Sequence, residues 1–585
     1  MDENSSLGTW SVVNGSSISG NRASDSGGVL RMDKNSSLGT WSVVNGSSIS
    51  GNRASDSGGV LLMDKNSSLG TWSVVNGSSI SGNRASDSGG VLLMDKNSSL
   101  GTWSVVNGSS ISGNRASDSG GVLLMDENSS LGTWSVVNGS SISGNNASYY
   151  GGVLYMDKNS SLGTWSVVNG SSISGNRASD YGGVLYMDEN SSLGTWSVVN
   201  GSSISGNNAS YYGGVLRMDK NSSLGTWVVA NGSSISGNNA SYYGGVLYMD
   251  KNSSLGTWSV VNGSSISGNR ASDSGGVLLM DENSSLGTWS VVNGSSISGN
   301  RASDSGGVLR MDKNSSLGTW SVANGSSISG NNASYYGGVL RMDENSSLGT
   351  WSVVNGSSIS GNNASDSGGV LLMDENSSLG TWSVVNGSSI SGNNASYYGG
   401  VLRMDKNSNL GTWSVVNGSS ISGNRASYSG GVLYMDKNSS LGTWSVVNGS
   451  SISGNNASYY GGVLRMDKNS SLGTWSVVNG SSISGNNASY YGGVLYMDKN
   501  SSLGTWSVVN GSSISGNNAS YYGGVLLMDE NSSLGTWSVV NGSSISGNRA
   551  SDSGGVLRMD KNSSLGTWVV ANGSSISGNN ASYDA

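Results

Sequence analysis

The chain has 585 residues, a formal charge of −8, and no His, Cys, Pro or Phe. Without imidazole or thiol it lacks the usual groups for acid–base work, nucleophilic attack, zinc binding and disulfides, so neither catalysis nor a cofactor or metal is expected. Lys and Arg are scattered without runs and no apolar stretch is long enough to span a bilayer, so neither a nucleic-acid partner nor a membrane span is expected.

One 31-residue unit, MDENSSLGTWSVVNGSSISGNRASDSGGVLR, recurs from Met1 through Met32 and Met63 to Met559. Eighteen full repeats and a partial nineteenth at 559–585 follow without a linker, so residues 1–585 read as a single repetitive solenoid. Within a unit the first turn surrounds Asp2, or Asp33-Lys34-Asn35-Ser36 in the second repeat. A strand is predicted over Leu7 to Val13, a tight turn at Asn14-Gly15 and a second strand over Ser16 to Ser19. A long turn from Gly20 to Gly28 leads to a third strand, Val29 to Met32. With Gly at five positions per unit, helix propensity is poor throughout. Three strands and three turns per fixed period describe one three-stranded coil of an all-β parallel β-helix solenoid of about 19 coils. At about 4.8 Å per coil the result is a rod on the order of 90 Å long.

Differences among the repeats locate the faces. Position 31 is Arg31, Leu62 or Tyr155, a mixture that reads as solvent-facing; by strand alternation Val29 shares that outer face while Leu30 and Met32 point inward. In the long strand Ser11 becomes Val228 and Val13 becomes Ala230, whereas Trp10 and Val12 never change. Leu7, Trp10, Val12, Ile18, Leu30 and Met32 are therefore the expected core ladder, with Gly8 absorbing a change of phase after Leu7. The alternative for Trp10 and its copies is an external tryptophan stripe. Asn4, Asn14 and Asn21 recur in every unit and are expected to form polar ladders, each amide meeting its own copy one coil away. Asp2 stacks as well, an unfavourable arrangement for ionised carboxylates, beside a position that is Lys in twelve repeats and Glu in seven.

In the long turn nine repeats carry Arg at the place of Arg22, and eight of these carry Asp three residues later, as in Arg22 and Asp25. Where Asn replaces the Arg, Tyr usually replaces the Asp and the next residue, as in Asn146, Tyr149 and Tyr150. Duplication of two repeat subtypes explains the correlation; so does one surface built first by charge pairing and then by tyrosine stacking. Asn4-Ser5-Ser6, Asn14-Gly15-Ser16 and Asn146-Ala147-Ser148 have the form of glycosylation acceptors, but copies about 4.8 Å apart cannot all carry glycans, and amide ladders are the preferred reading. Asp2-Glu3-Asn4 has calcium-like oxygen spacing without the further glycine a calcium β-roll needs. Ser17-Ile18-Ser19 forms a regular hydroxyl array that would suit an ice-binding face as well as strand edges.

The segment Ile18-Ser19-Gly20-Asn21-Arg22-Ala23-Ser24-Asp25-Ser26-Gly27-Gly28-Val29-Leu30 resembles the repeat of the chlamydial polymorphic outer-membrane proteins. Gly27-Gly28-Val29-Leu30 matches that family's GGA-aliphatic motif with Val for Ala, and Ile18-Ser19-Gly20-Asn21 matches its Phe-x-x-Asn motif with Ile for Phe. The resemblance implies a right-handed parallel β-helix displayed on a cell surface and associated with adhesion. The chain departs from that family in carrying no outer-membrane barrel and in the near identity of its repeats. The expected function is an extracellular or cell-surface structural filament or rod, with adhesion as an added role, assembling head to tail with copies of itself. That expectation rests on end coils that are ordinary repeat, apart from Asp584-Ala585. The alternative is a monomeric cell-surface adhesin stalk or a ligand-, carbohydrate- or ice-binding module.

Overall fold

The computed structural model describes residues 1–25, 27–56, 58–87 and 89–582; the departure from the repeat at Asp584-Ala585 lies outside them. The chain is an all-β parallel solenoid with one coil per 31 residues. The first coil contains β1 (Ser6–Val13), β2 (Ser17–Ser19), β3 (Arg22–Ala23) and β4 (Leu30–Met32). The short β3 lies inside the segment expected to be one long turn, so each of the eighteen complete coils has four strands where three were predicted. A two-residue strand between Asn21 and Ser24 carries no periodicity, and only pairing with Arg53–Ala54 of the next coil reveals it.

Two units divide the chain, Met1–Thr288 and Trp289–Ala585. In both, strands pair in parallel with their own copies exactly one repeat away, as Trp10 with Trp41 and Ile18 with Ile49 in the first unit and Trp320 with Trp351 in the second. Gly8 and Gly39 are skipped in the register of β1. A Cβ on Gly39 would lie 2.5 Å from the carbonyl oxygen of Gly8, so glycine permits the close backbone approach. That break lets Leu and Trp, three residues apart, face the same side, as the sequence suggested for Gly8.

The corners follow from backbone chemistry. Asn4 and Asn14 adopt left-handed φ angles of 61° and 54°, a region Asn enters more readily than other side-chain-bearing residues. Gly15 follows at 75°, and the amide of Ser16 donates to the carbonyl of Val13 at 3.3 Å to close the turn.

The expected core ladder is inside. Copies of Leu7, Trp10, Val12, Ile18, Leu30 and Met32, such as Leu38, Trp41, Val43, Ile49, Leu61 and Met63, are fully or almost fully buried. Leu7 itself is 39% exposed, because only one face of its coil is covered. The tryptophans form internal stacks, with ring centres 4.9 Å apart for Trp41 and Trp72 and 4.8 Å for Trp351 and Trp382. Indole Nε1 atoms such as those of Trp41 and Trp351 find no hydrogen-bond partner. The large apolar area and ring stacking offset that loss.

Val29 is a correction. Its copies Val60, Val91 and Val122 are fully buried and do not share the outer face of position 31. The chain bends at Gly28-Val29 rather than running as strand, and the amides of Val29 and Leu30 both donate to the one carbonyl of Val60, each at 2.9 Å. Alternation therefore begins only at Leu30, and Val and Leu both turn inward.

Candidate functional site

The three asparagine ladders form, in two distinct ways. On the outside, Asn35 donates its side-chain amide to Asn4 at 3.2 Å and Asn45 to Asn14 at 3.1 Å. The copies of Asn21 run through the interior with opposite polarity: Asn52 donates to Asn83 Oδ1 at 2.9 Å. Asn114 shows the complete arrangement. Its Oδ1 accepts from the side-chain and main-chain amides of Asn83, and its Nδ2 donates to Ile80 O and Asn145 Oδ1, so a fully buried amide uses every valence. Sequence reasoning missed two further internal ladders, the copies of Ser5 and Ser16. Ser67 Oγ donates to Asp33 O at 3.0 Å and Ser78 Oγ to Val75 O at 2.8 Å. Their presence in every repeat was the available signal. The hydroxyls of Ser17 and Ser19 copies, by contrast, flank a buried Ile on a half-exposed face.

Variation is concentrated on the face made by the long turn and β4. Position 31 points away from the core, yet it is not free in solvent: Tyr186 and Arg217 are 5% and 7% exposed. The expectation of a solvent-facing position is corrected: the position is buried whether the long turn carries Ser, as at Leu279 and Leu372, or Tyr, and where present the second tyrosine of that turn folds over it. Tyr150, Tyr181, Tyr212 and Tyr243 bridge in parallel and stack at 5.2–5.4 Å, and Tyr150 lies 5.2 Å from Tyr186 beneath. The first tyrosine of each pair stands outside. Tyr335 is 57% exposed, and Tyr459 and Tyr490 stack in the open at 4.9 Å.

Tyrosine stacking is thus present, whereas charge pairing at Arg22 and Asp25 is not: among the described residues no ion pair joins these positions. The arginines that pair are those of position 31. Arg217 Nη2 lies 3.0 Å from Asp250 and 3.7 Å from Asp219, with its guanidinium carbon 3.9 Å from the Tyr181 ring centre. Tyrosines at position 31 reach the same column of aspartates; Tyr155 donates to Asp188 at 2.9 Å and Tyr248 to Asp281 at 2.8 Å. These partners compensate the stacked copies of Asp2. The adjacent lysines instead serve the glutamates, as Lys96 with Glu127 at 3.0 Å.

The aspartates divide accordingly. Burial raises Asp219, but the hydrogen bond from Tyr186 and the charge of Arg217 outweigh it and hold this carboxyl below the usual range. Burial dominates at Asp126, assisted by the carboxyls of Asp157 and Asp95, and pushes it up to about 6. Burial likewise pushes the phenols of Tyr155 and Tyr186 well upward, so they remain hydrogen-bond donors. No group of three Asp or Glu side chains among the described residues is placed to hold a metal ion. No family model, curated protein or solved structure matches the chain.

Proposed function

We propose that the protein is structural: an extracellular or cell-surface filament or rod-forming solenoid that assembles by end-to-end stacking of coils. The observation that carries this reading is the equivalence of the coils. Within each unit one coil meets the next through the same strands in the same one-repeat register, so either face of a coil is complementary to the opposite face of any other. A contact of that kind between molecules is heterologous and does not close, which generates fibres. The likeness of Gly27-Gly28-Val29-Leu30 and Ile18-Ser19-Gly20-Asn21 to motifs of surface-displayed polymorphic outer-membrane proteins supports the location. The second reading is a monomeric stalk presenting a ligand surface, favoured by the exposed tyrosine column at Tyr335, Tyr397 and their copies.

Sedimentation of the chain against a Trp568→Lys, Val570→Lys variant separates the two readings, since both residues are exposed on the last coil. Filament assembly predicts concentration-dependent polymers for the parent and discrete monomers for the variant. Identical monomers at high concentration overturn it in favour of the stalk.

A further inference from the structure

The column of aspartates follows a rule that lapses over three successive coils. Where position 31 is Arg or Tyr, its side chain reaches the aspartate 33 residues on, as Tyr186 to Asp219 and Arg341 to Asp374. In three successive coils position 31 is Leu62, Leu93 and Leu124, which have nothing to donate. The corresponding carboxylates are Asp95, Asp126 and Asp157. Each accepts the amide of the following residue, at 2.6–2.7 Å, but no Lys or Arg among the described residues forms an ion pair with them. Lys96 and Lys158 turn instead to Glu127 and Glu189.

The same coils carry a groove of about 720 Å³. Leu93 and Leu124, the carboxylates of Asp126, Asp157, Asp87 and Asp118, and the rings of Tyr149 and Tyr150 line it. Tyr155 belongs to its aromatic end. Three repeats further along, the chain itself shows what fits such a space. Asp126 and Asp157 stand to Leu124, in repeat position, as Asp219 and Asp250 stand to Arg217, and Tyr155 takes the place of Tyr248, whose ring centre lies 5.4 Å from the Arg217 guanidinium. Tyr212 covers Arg217 with its ring centre 5.1 Å from the guanidinium carbon; in the groove the equivalent residue is Ser119, whose side chain is far smaller. Arg84 and Arg115, on the neighbouring short strands, form no ion pair with Asp87 or Asp118. Burial, together with the neighbouring carboxyls of Asp157 and Asp95, pushes Asp126 up to about 6.

We infer that this groove binds a guanidinium-bearing organic cation, the guanidinium lying between Asp126, Asp157 and Tyr155 as that of Arg217 does in its own coil, with Asp87 and Asp118 facing a second cationic group. A planar guanidinium suits paired carboxylates beside an aromatic ring better than an ammonium does. The ligand is either a free small molecule or an arginine side chain of a peptide.

The test is calorimetric titration of the full chain at pH 7.5 and low salt, with agmatine and the tripeptide Gly-Arg-Gly as probes and cadaverine as the ammonium comparison. Saturable binding at one site per chain is expected, with cadaverine weaker. Tighter binding of agmatine assigns the free cation, and tighter binding of the peptide assigns the arginine side chain. Leu124→Arg fills the groove from within, as Arg217 does, and should weaken binding at least about tenfold. Leu372→Arg in the second unit should leave it unchanged. Should Leu124→Arg fail to fold, the near-isosteric Asp126→Asn keeps the test open and should weaken binding several-fold. Absence of saturable guanidinium binding, equal affinity for cadaverine, or undiminished binding by a folded Leu124→Arg or Asp126→Asn chain overturns the proposal.

Discussion

The guanidinium of Arg217 lies 3.9 Å from the ring centre of Tyr181, a residue of the preceding coil, while its Nη2 contacts Asp250 at 3.0 Å. A cation, an aromatic ring and a carboxylate from separate coils are thus fastened together outside the core. Their partnership is set by the 31-residue register and not by nearness in sequence.

Arg217→Leu should reverse the local pH dependence. The depressed Asp219 pKa of the parent supplies stability that is present above the ordinary carboxylate range and lost as pH falls through the lower folded value. Without the guanidinium, burial prevails and the pKa rises, so stability is lost as pH increases. Hydrogen-exchange mass spectrometry over residues 210–225 should find faster opening in the variant at pH 7 and a smaller difference at pH 4.

Asp126→Asn should be stabilising at neutral pH. With a folded pKa of about 6 against an ordinary 3.8, Asp126 contributes fully below the unfolded value, and that contribution is lost as pH rises through about 6. Replacing it by an amide that still accepts the Glu127 amide should recover about 1 kcal/mol at pH 7 after solvent screening, and nothing below pH 4. Exchange protection of the surrounding turn measures both.

Asn114→Ala should cost about 2–4 kcal/mol locally, because it removes the acceptor of two Asn83 donors inside a fully buried ladder. Asn107→Ala, on an exposed ladder at φ 55°, should cost about 1 kcal/mol, chiefly through the left-handed backbone. The ordering of the two in exchange protection is the check.

Gly101→Ala and Gly108→Ala separate close approach from conformation. A Cβ at Gly101 would meet Gly70 O at 2.6 Å, whereas at Gly108 it would meet open space at φ +68°. The first should cost more than about 2 kcal/mol and the second about 1 kcal/mol. Equal losses in denaturant titrations of the two variants would contradict the skipped register.

Trp fluorescence should be dominated by blue-shifted emission insensitive to acrylamide, with a small quenchable fraction. Trp568 is 42% exposed, so Trp568→Leu should remove much of that fraction. Trp351→Leu should leave quenching unchanged but cost about 3 kcal/mol, as the stack with Trp320 and Trp382 is interrupted.

By itself the sequence determined the period, the β class, the parallel pairing of like with like and most of the core, since each follows from a strict repeat and the spacing of residues such as Leu7, Trp10 and Ile18. Unchanging Asn4, Asn14 and Asn21 likewise announced their ladders. Tertiary structure decided what period-2 reasoning cannot reach. The bend at Gly28-Val29 turned Val29 inward, and β3 exists only through its neighbour. It also decided the partners on the variable face. Arg22 and Asp25 are close in sequence yet unpaired, while Arg217 reaches Asp250 in another coil, because side chains on stacked coils meet across one repeat and the long turn folds back over β4.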